Sequence, residues 1–134
     1  MIVADTNIII NLLLAGERTS EALAALEKDP VWAVPYLWRS EFCTVLTGYV
    51  RKKLLSWQEA QAILEHAQRL LRGKEYSVTP SHALELAVTS TCTTYDCEFV
   101  ALAQDLGIKL VTMDKQILTQ FPGATIALDK YARS

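Results

Sequence analysis

Four acidic residues that are far apart along the chain have neighbours that place them where chemistry is done: Asp5, Glu41, Asp96 and Asp114. Asp5 directly follows the β-favouring run 2–4, and Asp114 follows the strongly apolar run 108–112. Asp96 opens a segment whose apolar residues recur at helical intervals. Each Asp alone fits a helix N-cap, which stabilises a helix by about 1 kcal/mol. Together they indicate an acidic cluster.

Glu41 distinguishes a cluster from a set of unrelated caps. Leu37 and Val45 lie one turn before and after it on a predicted helix, so we expect its carboxylate to face inward. A buried, unpaired carboxylate is expensive, and its pKa normally rises. No basic residue pairs with it at helical spacing, although Arg39 or Arg51 could reach it in three dimensions.

Several carboxylates in one pocket repel each other unless a cation neutralises them. An all-carboxylate site suits the hard cations Mg²⁺ or Mn²⁺, whereas zinc more often takes Cys or His ligands. Other chemistries lack support, because the chain has no GxGxxG, GxxxxGK[ST], HExxH or DxD motif. His66 and His82 are isolated and are interpreted as structural or surface residues.

The elements that must position these acids alternate along the chain. Strands are predicted at 2–4, 31–34, 76–78, 108–112 and 125–128. Helices are predicted at 6–14, 20–27, 36–54, 56–71, 80–91, 95–106 and 115–120. This alternation indicates an α/β fold with parallel strands and helices on both faces of the sheet. Such folds place their sites beyond the carboxyl ends of the strands, which is where Asp5 and Asp114 fall.

Length and composition bound the remaining possibilities. With 134 residues, 51% of them hydrophobic, the chain predicts one domain spanning 1–134. Asp5, Asn7 and Asn11 interrupt the apolar N-terminal stretch, which argues against a secretory signal, and no run is long enough to cross a membrane. Three cysteines without a CxxC pair suggest reduced thiols, interpreted as small core residues, in a cytoplasmic protein.

Charge is unevenly distributed along the chain. The formal net charge is −2, yet residues 39–74 hold seven basic residues against three acidic ones. A basic flank beside an acidic pocket suits a polyanionic substrate, although two solvated helix faces would produce the same pattern.

The acids, taken in order with their neighbours, resemble those of the PIN-domain nucleases and, more narrowly, the VapC-type toxins of prokaryotic toxin–antitoxin pairs. The matching segments are Asp5-Thr-Asn7 after an opening strand, Glu41 in the helix after Val34-Pro35, Tyr95-Asp96 opening a helix, and Leu110-Val-Thr-Met-Asp114. The resemblance covers nearly the whole chain.

That resemblance implies a three-layer α/β/α sandwich with a parallel sheet of four to five strands. It further implies that Asp5, Glu41, Asp96 and Asp114 hold Mg²⁺ or Mn²⁺, with Asn7 and Thr112 supporting them, and that RNA is cleaved. A cognate antitoxin and a homodimer are the implied partners. Cys97 and Glu98 depart from the small residues that relatives often carry there, which leaves the charge of the site open.

Two alternatives remain at this point. The chain could be a catalytically inactive member of the fold that binds RNA or protein, so that its acids are only caps and partner contacts. It could instead cut structured DNA, as flap-type nucleases of this fold do, although 134 residues leave little room for DNA-gripping insertions.

Overall fold

A computed structural model describes all residues, 1–134, as five strands and eight helices. The strands are β1 (Ile2–Ala4), β2 (Trp32–Pro35), β3 (Glu75–Tyr76), β4 (Leu110–Thr112) and β5 (Thr125–Ala127). The helices are α1 (Thr6–Leu13), α2 (Thr19–Lys28), α3 (Trp38–Arg51), α4 (Trp57–Leu71), α5 (Pro80–Val88), α6 (Thr94–Leu106), α7 (Lys115–Gln120) and α8 (Leu128–Arg133).

The strands form one parallel sheet in the order β3-β2-β1-β4-β5, with β1 at its centre. The chain moves outward from β1 to β3, then crosses back over β1 to reach β4 and β5. Because parallel crossovers are right-handed, the two directions place helices on opposite faces. Accordingly α1 to α4 contact one another on one side, while α6 contacts β1, β2 and β4 and packs with α5 on the other. The predicted α/β/α sandwich with a five-stranded parallel sheet is confirmed.

The core lies on both faces of the central strands. All residues of β1, β2 and β4 are buried, as expected for parallel strands covered by helices. On α3 the apolar residues turn inward, with Trp38 and Phe42 packed edge to face at 5.6 Å between ring centroids. None of the helices combines the length and apolar character that a membrane crossing requires.

The structure corrects several predicted boundaries. α3 is shorter than predicted at both ends and stops at Arg51; Lys53 just beyond it has a positive φ of 61°. The helix from Pro80 ends at Val88 instead of residue 91, where the Thr89 hydroxyl bonds to the carbonyl of Glu85. The last helix, α8, was not predicted. The interpretation of all three cysteines as core residues is wrong for Cys43, which is exposed, and holds for the buried Cys92 and Cys97.

Candidate active site

Two of the acids leave neighbouring strands at the same edge of the sheet. Asp5 is the N-cap of α1 directly after β1, and Asp114 is the N-cap of α7 after β4. β1 and β4 are paired with Ala4 opposite Val111, so both chain segments reach the carboxyl edge together. Asp114 Oδ1 accepts hydrogen bonds from the amides of Gln116 at 2.9 Å and Ile117 at 3.2 Å, which fixes one of its oxygens.

A single buried hydroxyl joins these two strand ends. Thr112 Oγ1 donates to Asp5 Oδ2 at 2.6 Å and accepts from the backbone N–H of Asp114 at 3.0 Å. Thr112 has no exposed surface. The second oxygen of Asp5, Oδ1, accepts from the amide of Thr6 at 2.8 Å. The predicted supporting position of Thr112 is therefore a direct contact with one acid and with the backbone of another.

Glu41 reaches the same place from α3. Its Oε1 accepts a hydrogen bond of 2.6 Å from the hydroxyl of Thr6, the residue after Asp5. Neither basic residue considered for it is its partner: Arg39 instead forms a bidentate ion pair with Glu75 at 2.6 and 2.7 Å, and Arg51 makes no ion pair. Glu41 is half-buried, as its apolar neighbours on the helix predict.

Asp96 comes from the opposite face of the sheet. It lies in the first turn of α6, where its backbone N–H donates to the capping hydroxyl of Thr93 at 3.1 Å. The N-cap of this helix is therefore Thr93, and Asp96 stands at the third helical position. Hydrogen bonds with the side chain and backbone of Thr93 act on the carboxylate of Asp96, as in a capping box, so this acid also supports the start of its helix.

The carboxylates of the site act on each other electrostatically. Burial, with the nearby charges of Glu41 and Asp96, raises the pKa of Asp5 to about 6, although hydrogen bonds from Thr112 and Thr6 oppose the rise. Burial also raises the pKa of Glu41, with further contributions from Asp96 and Glu98.

The same causes act on Asp96. Burial and then the charge of Asp114 raise the pKa of Asp96, although hydrogen bonds with Thr93 oppose the rise. No lysine, arginine or histidine forms an ion pair with any of the four acids. The fold therefore brings four acids from separate parts of the chain within electrostatic range of one another and pairs none of them with a protein cation.

The donor chemistry of this cluster fits a hard divalent cation, because every candidate ligand is an oxygen. Asn7 adds a further one: its side-chain Oδ1 is buried and has no hydrogen-bond partner, while its Nδ2 lies 3.4 Å from Asp5 Oδ2. The side chains are not drawn together, however. No three acidic, cysteine or histidine side chains are grouped closely enough to hold a metal ion.

Sequence reasoning missed two threonines of the site, and it did not decide whether Glu98 contributes to the charge of the site. Thr6 connects Asp5 with Glu41, and Thr93 caps the helix of Asp96. The Ser/Thr preference at N-caps could have indicated Thr93, but nothing in the sequence pairs Thr6 with a residue 35 positions away. Glu98, one of the departures from the family pattern, lies near enough to Glu41 to raise its pKa.

The largest cavity of the molecule lies outside the acidic cluster. It is an apolar groove of about 390 Å³ between α3 and α4, and Leu46, Val50, Trp57 and Leu64 are among the residues that line it. The histidines are also outside the cluster, as predicted: His66 is exposed, and His82 contacts Asp105 and Gln104.

Comparison with known proteins adds independent findings. The profile of the PIN domain family matches residues 2–122. Ribonuclease VapC3 of Pyrobaculum aerophilum is 31% identical over 124 residues, which cover 90% of this chain and 95% of the relative.

Three solved structures have a similar fold. A Pyrobaculum aerophilum protein has a TM-score of 0.78 at 20% identity, over 99% of this chain and 96% of its own. A toxin–antitoxin complex from Klebsiella pneumoniae has a TM-score of 0.67 at 21% identity, and FitAcB from Neisseria gonorrhoeae one of 0.73 at 16%; each match covers 96% of this chain and 98% of the other.

Proposed function

The chain belongs to the PIN domain family, and from that membership we propose that it is an endoribonuclease that depends on Mg²⁺ or Mn²⁺ and hydrolyses phosphodiester bonds. One observation carries the proposal. Asp5, Glu41, Asp96 and Asp114 come from separate parts of the chain, burial and the charges of neighbouring acids raise the pKa values of Asp5, Glu41 and Asp96, and none of the four has a basic partner. Repulsion of this kind destabilises the folded state, and a bound divalent cation would relieve it.

RNA is the proposed substrate because the relative at 31% identity carries the name of a ribonuclease. The charge distribution supports a polyanion. α3 and α4 both contact α1, the helix that Asp5 caps, and the turn that joins α3 to α4 is exposed. That turn carries the exposed residues Arg51, Lys52 and Lys53.

Each residue of the candidate site has a proposed role in the reaction. A bound divalent cation would supply an activated water and neutralise charge on the reacting phosphate. Asp5 and Asp96 are the proposed ligands, with Glu41 and Asp114 as further ligands or as the base that orients the water. Thr112 and Thr6 each hold an oxygen of Asp5, and Thr6 also holds Glu41, so the two threonines fix the acids before substrate arrives.

Replacing a proposed ligand tests this assignment. Asp5→Asn and Asp96→Asn each keep the side-chain shape but give a poorer ligand for a hard cation, so we expect RNA cleavage to fall at least about 100-fold. Asp105→Asn is the matched control, because Asp105 lies on α6 near its other end and contacts only a surface histidine. Near-wild-type cleavage by a purified, folded Asp5→Asn protein would refute the assignment.

Cation binding separates this enzyme from an inactive member of the fold. A working site should raise the melting temperature when Mg²⁺ or Mn²⁺ is added, and EDTA should reverse the rise. The Asp5→Asn and Asp96→Asn proteins should show a much smaller rise. Matched RNA and DNA oligonucleotides incubated with Mn²⁺ would decide between RNA and structured DNA as substrate.

The proposal extends to partners. We propose that the protein is the toxin of a type II toxin–antitoxin pair in the cytoplasm, silenced by a cognate antitoxin, and that it forms a homodimer. Support comes from the solved neighbour that is itself a toxin–antitoxin complex. Growth arrest on expression of this chain alone, relieved by a protein encoded beside it, would support the toxin assignment. Sedimentation should give twice the monomer mass of 14.9 kDa.

A further inference from the structure

An exposed tyrosine follows the strand next to β1 and has one ring face already covered. Tyr36 follows β2 directly, and its residue surface is 49% exposed. The guanidinium of Arg39 lies over its ring, 5.2 Å from the centroid. This is within the range of a cation–π contact.

Arg39 is itself held in place by Glu75. Its guanidinium makes two hydrogen bonds, of 2.6 and 2.7 Å, with the carboxylate of Glu75. Glu75 in turn accepts a hydrogen bond of 2.7 Å from the indole of the buried Trp38. A planar, bidentate pair anchored to a core residue restrains the arginine far more than an ordinary surface ion pair would. The Tyr36 ring is thus supported in one orientation.

The sheet register brings the backbone of Tyr36 to the edge of the sheet at which Asp5 lies. Val3 of β1 pairs with Ala33 of β2, so Tyr36 leaves β2 one residue beyond the level at which Asp5 leaves β1. Adjacent strands lie about 4.8 Å apart. Glu41 follows in the first turns of the helix that Tyr36 precedes, and its amide bonds to the carbonyl of Leu37. Tyr36, Asp5 and Glu41 therefore all follow strand ends at the same edge of the sheet.

We propose that Tyr36, supported by Arg39, is a base-stacking platform that receives one unpaired nucleobase beside the scissile phosphate. This inference rests on the proposed ribonuclease function and adds a residue that selects the form of the substrate. A ring face accepts any base, so the platform favours unpaired over paired nucleotides without reading sequence. A base held in a duplex is already stacked and would have to leave its neighbours to use it.

The first experiment measures binding without cleavage. A single-stranded RNA containing one 2-aminopurine, moved from position to position, is titrated with protein in EDTA at low salt, and again with Asp96→Asn protein in Mg²⁺. We expect fluorescence quenching by stacking at one position. Tyr36→Ala should abolish that quenching and weaken binding by roughly 5- to 150-fold, the range for loss of one stacked base. Tyr36→Phe should keep both properties.

Two controls make the result specific. Trp57→Ala removes another exposed aromatic residue, 63% exposed, on α4, and should change neither quenching nor affinity. An abasic site at the quenched position should weaken wild-type binding as much as Tyr36→Ala does, and combining the two should weaken it no further. Because Tyr36 is half exposed, the variant should melt near the wild-type temperature, which a thermal scan checks.

The outcomes distinguish this inference from the function beneath it. If Tyr36→Ala binds and cleaves RNA like wild type, or if Tyr36→Phe loses as much as Tyr36→Ala, the platform is refuted while the ribonuclease stands. If RNA binds with Tyr36-dependent quenching but wild type cleaves nothing, the platform stands and the nuclease fails. Failure of wild type to bind single-stranded RNA in either condition overturns the platform.

Discussion

At the scale of single residues, the side chain of Thr112 connects two of the acidic residues of the candidate site. Its hydroxyl is fully buried, donates to Asp5 and accepts from the amide of Asp114, so both its donor and its acceptor functions are used. A hydrogen bond to a charged group contributes about 1.5–3 kcal/mol. Here the same bond also fixes the orientation of the most buried acid of the cluster.

Two substitutions of Thr112 distinguish the effect of its hydroxyl from the effect of its side-chain volume. Thr112→Val keeps the volume but leaves the Asp5 oxygen and the Asp114 N–H without their partner, so the free energy of unfolding should fall by about 1–3 kcal/mol. RNA cleavage should fall roughly 10- to 100-fold, because the acid is no longer held in position. Urea denaturation and initial rates measure the two effects. Thr112→Ser, which keeps the hydroxyl, should retain most of both; equal loss in the Ser and Val proteins would contradict this role.

The raised pKa of Asp5 predicts a specific pH dependence of stability. The pKa of its carboxyl is about 6 in the folded protein, above its ordinary value of 3.8, so between those values the folded state holds a proton that the unfolded state has lost. The free energy of unfolding therefore falls as pH rises through this window, by about 3 kcal/mol in total for this group. Below about pH 4 the penalty is absent.

The difference between two proteins isolates this effect from other titrating groups. In EDTA, Asp5→Asn should gain stability relative to wild type as the pH is raised from about 4 to about 7, by up to about 3 kcal/mol. Adding Mg²⁺ at about pH 7 should shrink the gap, because a cation that binds the folded wild type offsets the repulsion. Denaturation curves at several pH values measure this. If the difference in the free energy of unfolding between the two proteins does not change with pH, the pKa of Asp5 is not raised in the folded state.

The residue types and their order were enough to predict the four acids, because Asp after an apolar strand and Glu between apolar residues are local signals. The contacts were not predictable in the same way. The bond from Thr6 to Glu41 joins residues 35 positions apart and depends on how α3 packs beside α1. The cap at Thr93 was missed because Asp96 is itself an attractive cap residue.

At the scale of elements, helix ends position the site. α1 and α7 begin at Asp5 and Asp114, and α6 begins two residues before Asp96, so three helix N-termini lie at the acidic cluster. The partial positive charge of these ends favours carboxylates. Capping also decided which boundaries were predictable: the capping box of Ser56 and Glu59 is present at the start of α4, and Gly107 ends α6 with φ 67°.

Alanine substitutions at two glycines should change the free energy of unfolding in opposite directions, because one glycine ends a helix and the other lies inside one. Gly107→Ala forces a left-handed residue at the end of α6 and should lower the free energy of unfolding by about 1 kcal/mol. Gly48→Ala lies in the interior of α3, where an added Cβ has no atom within 4 Å, and should raise it by about 0.5–1 kcal/mol. Urea denaturation measures both changes. A stabilising Gly107→Ala would mean that α6 does not end as described.

Elements with weak local signals were the ones that sequence reasoning misjudged. β3 has two residues and its position was predicted only approximately, because its pairing with β2 rather than its own residues defines it. α8 has six residues and is held by packing against α2 and β5. Short elements of this kind draw their stability from tertiary contacts, which a periodic pattern cannot reveal.

At the scale of the whole molecule, the net charge is small but the charged residues are unevenly distributed. The net charge is −2, yet the exposed Arg51, Lys52 and Lys53 stand together where α3 ends and the turn to α4 begins. A long polyanion could meet the basic turn while one of its phosphates reached the cluster. Binding of this kind weakens as the salt concentration rises, because releasing counterions from the polyanion then gains less free energy.

Salt dependence tests this arrangement. Replacing Arg51 and Lys52 together by Gln should weaken binding of single-stranded RNA and make the plot of log affinity against log salt shallower by about 0.7 for each phosphate that the protein no longer neutralises. Lys109→Gln is the matched control, since Lys109 directly precedes β4 and so lies at the edge of the sheet opposite to Asp5 and Asp114. Filter binding at several salt concentrations measures the slopes. Equal slopes for wild type and the double variant would remove the turn from the RNA path.

The hydroxyl that joins residues 5 and 114 also determines when the first carboxylate becomes oriented during synthesis. The ribosome releases Asp5 first, and Thr112 follows 107 positions later. Until β4 is inserted beside β1, a nascent chain holds its first carboxylate without the strand that orients it. If the proposed ribonuclease function is correct, a chain that ends before β4 should therefore lack RNA cleavage.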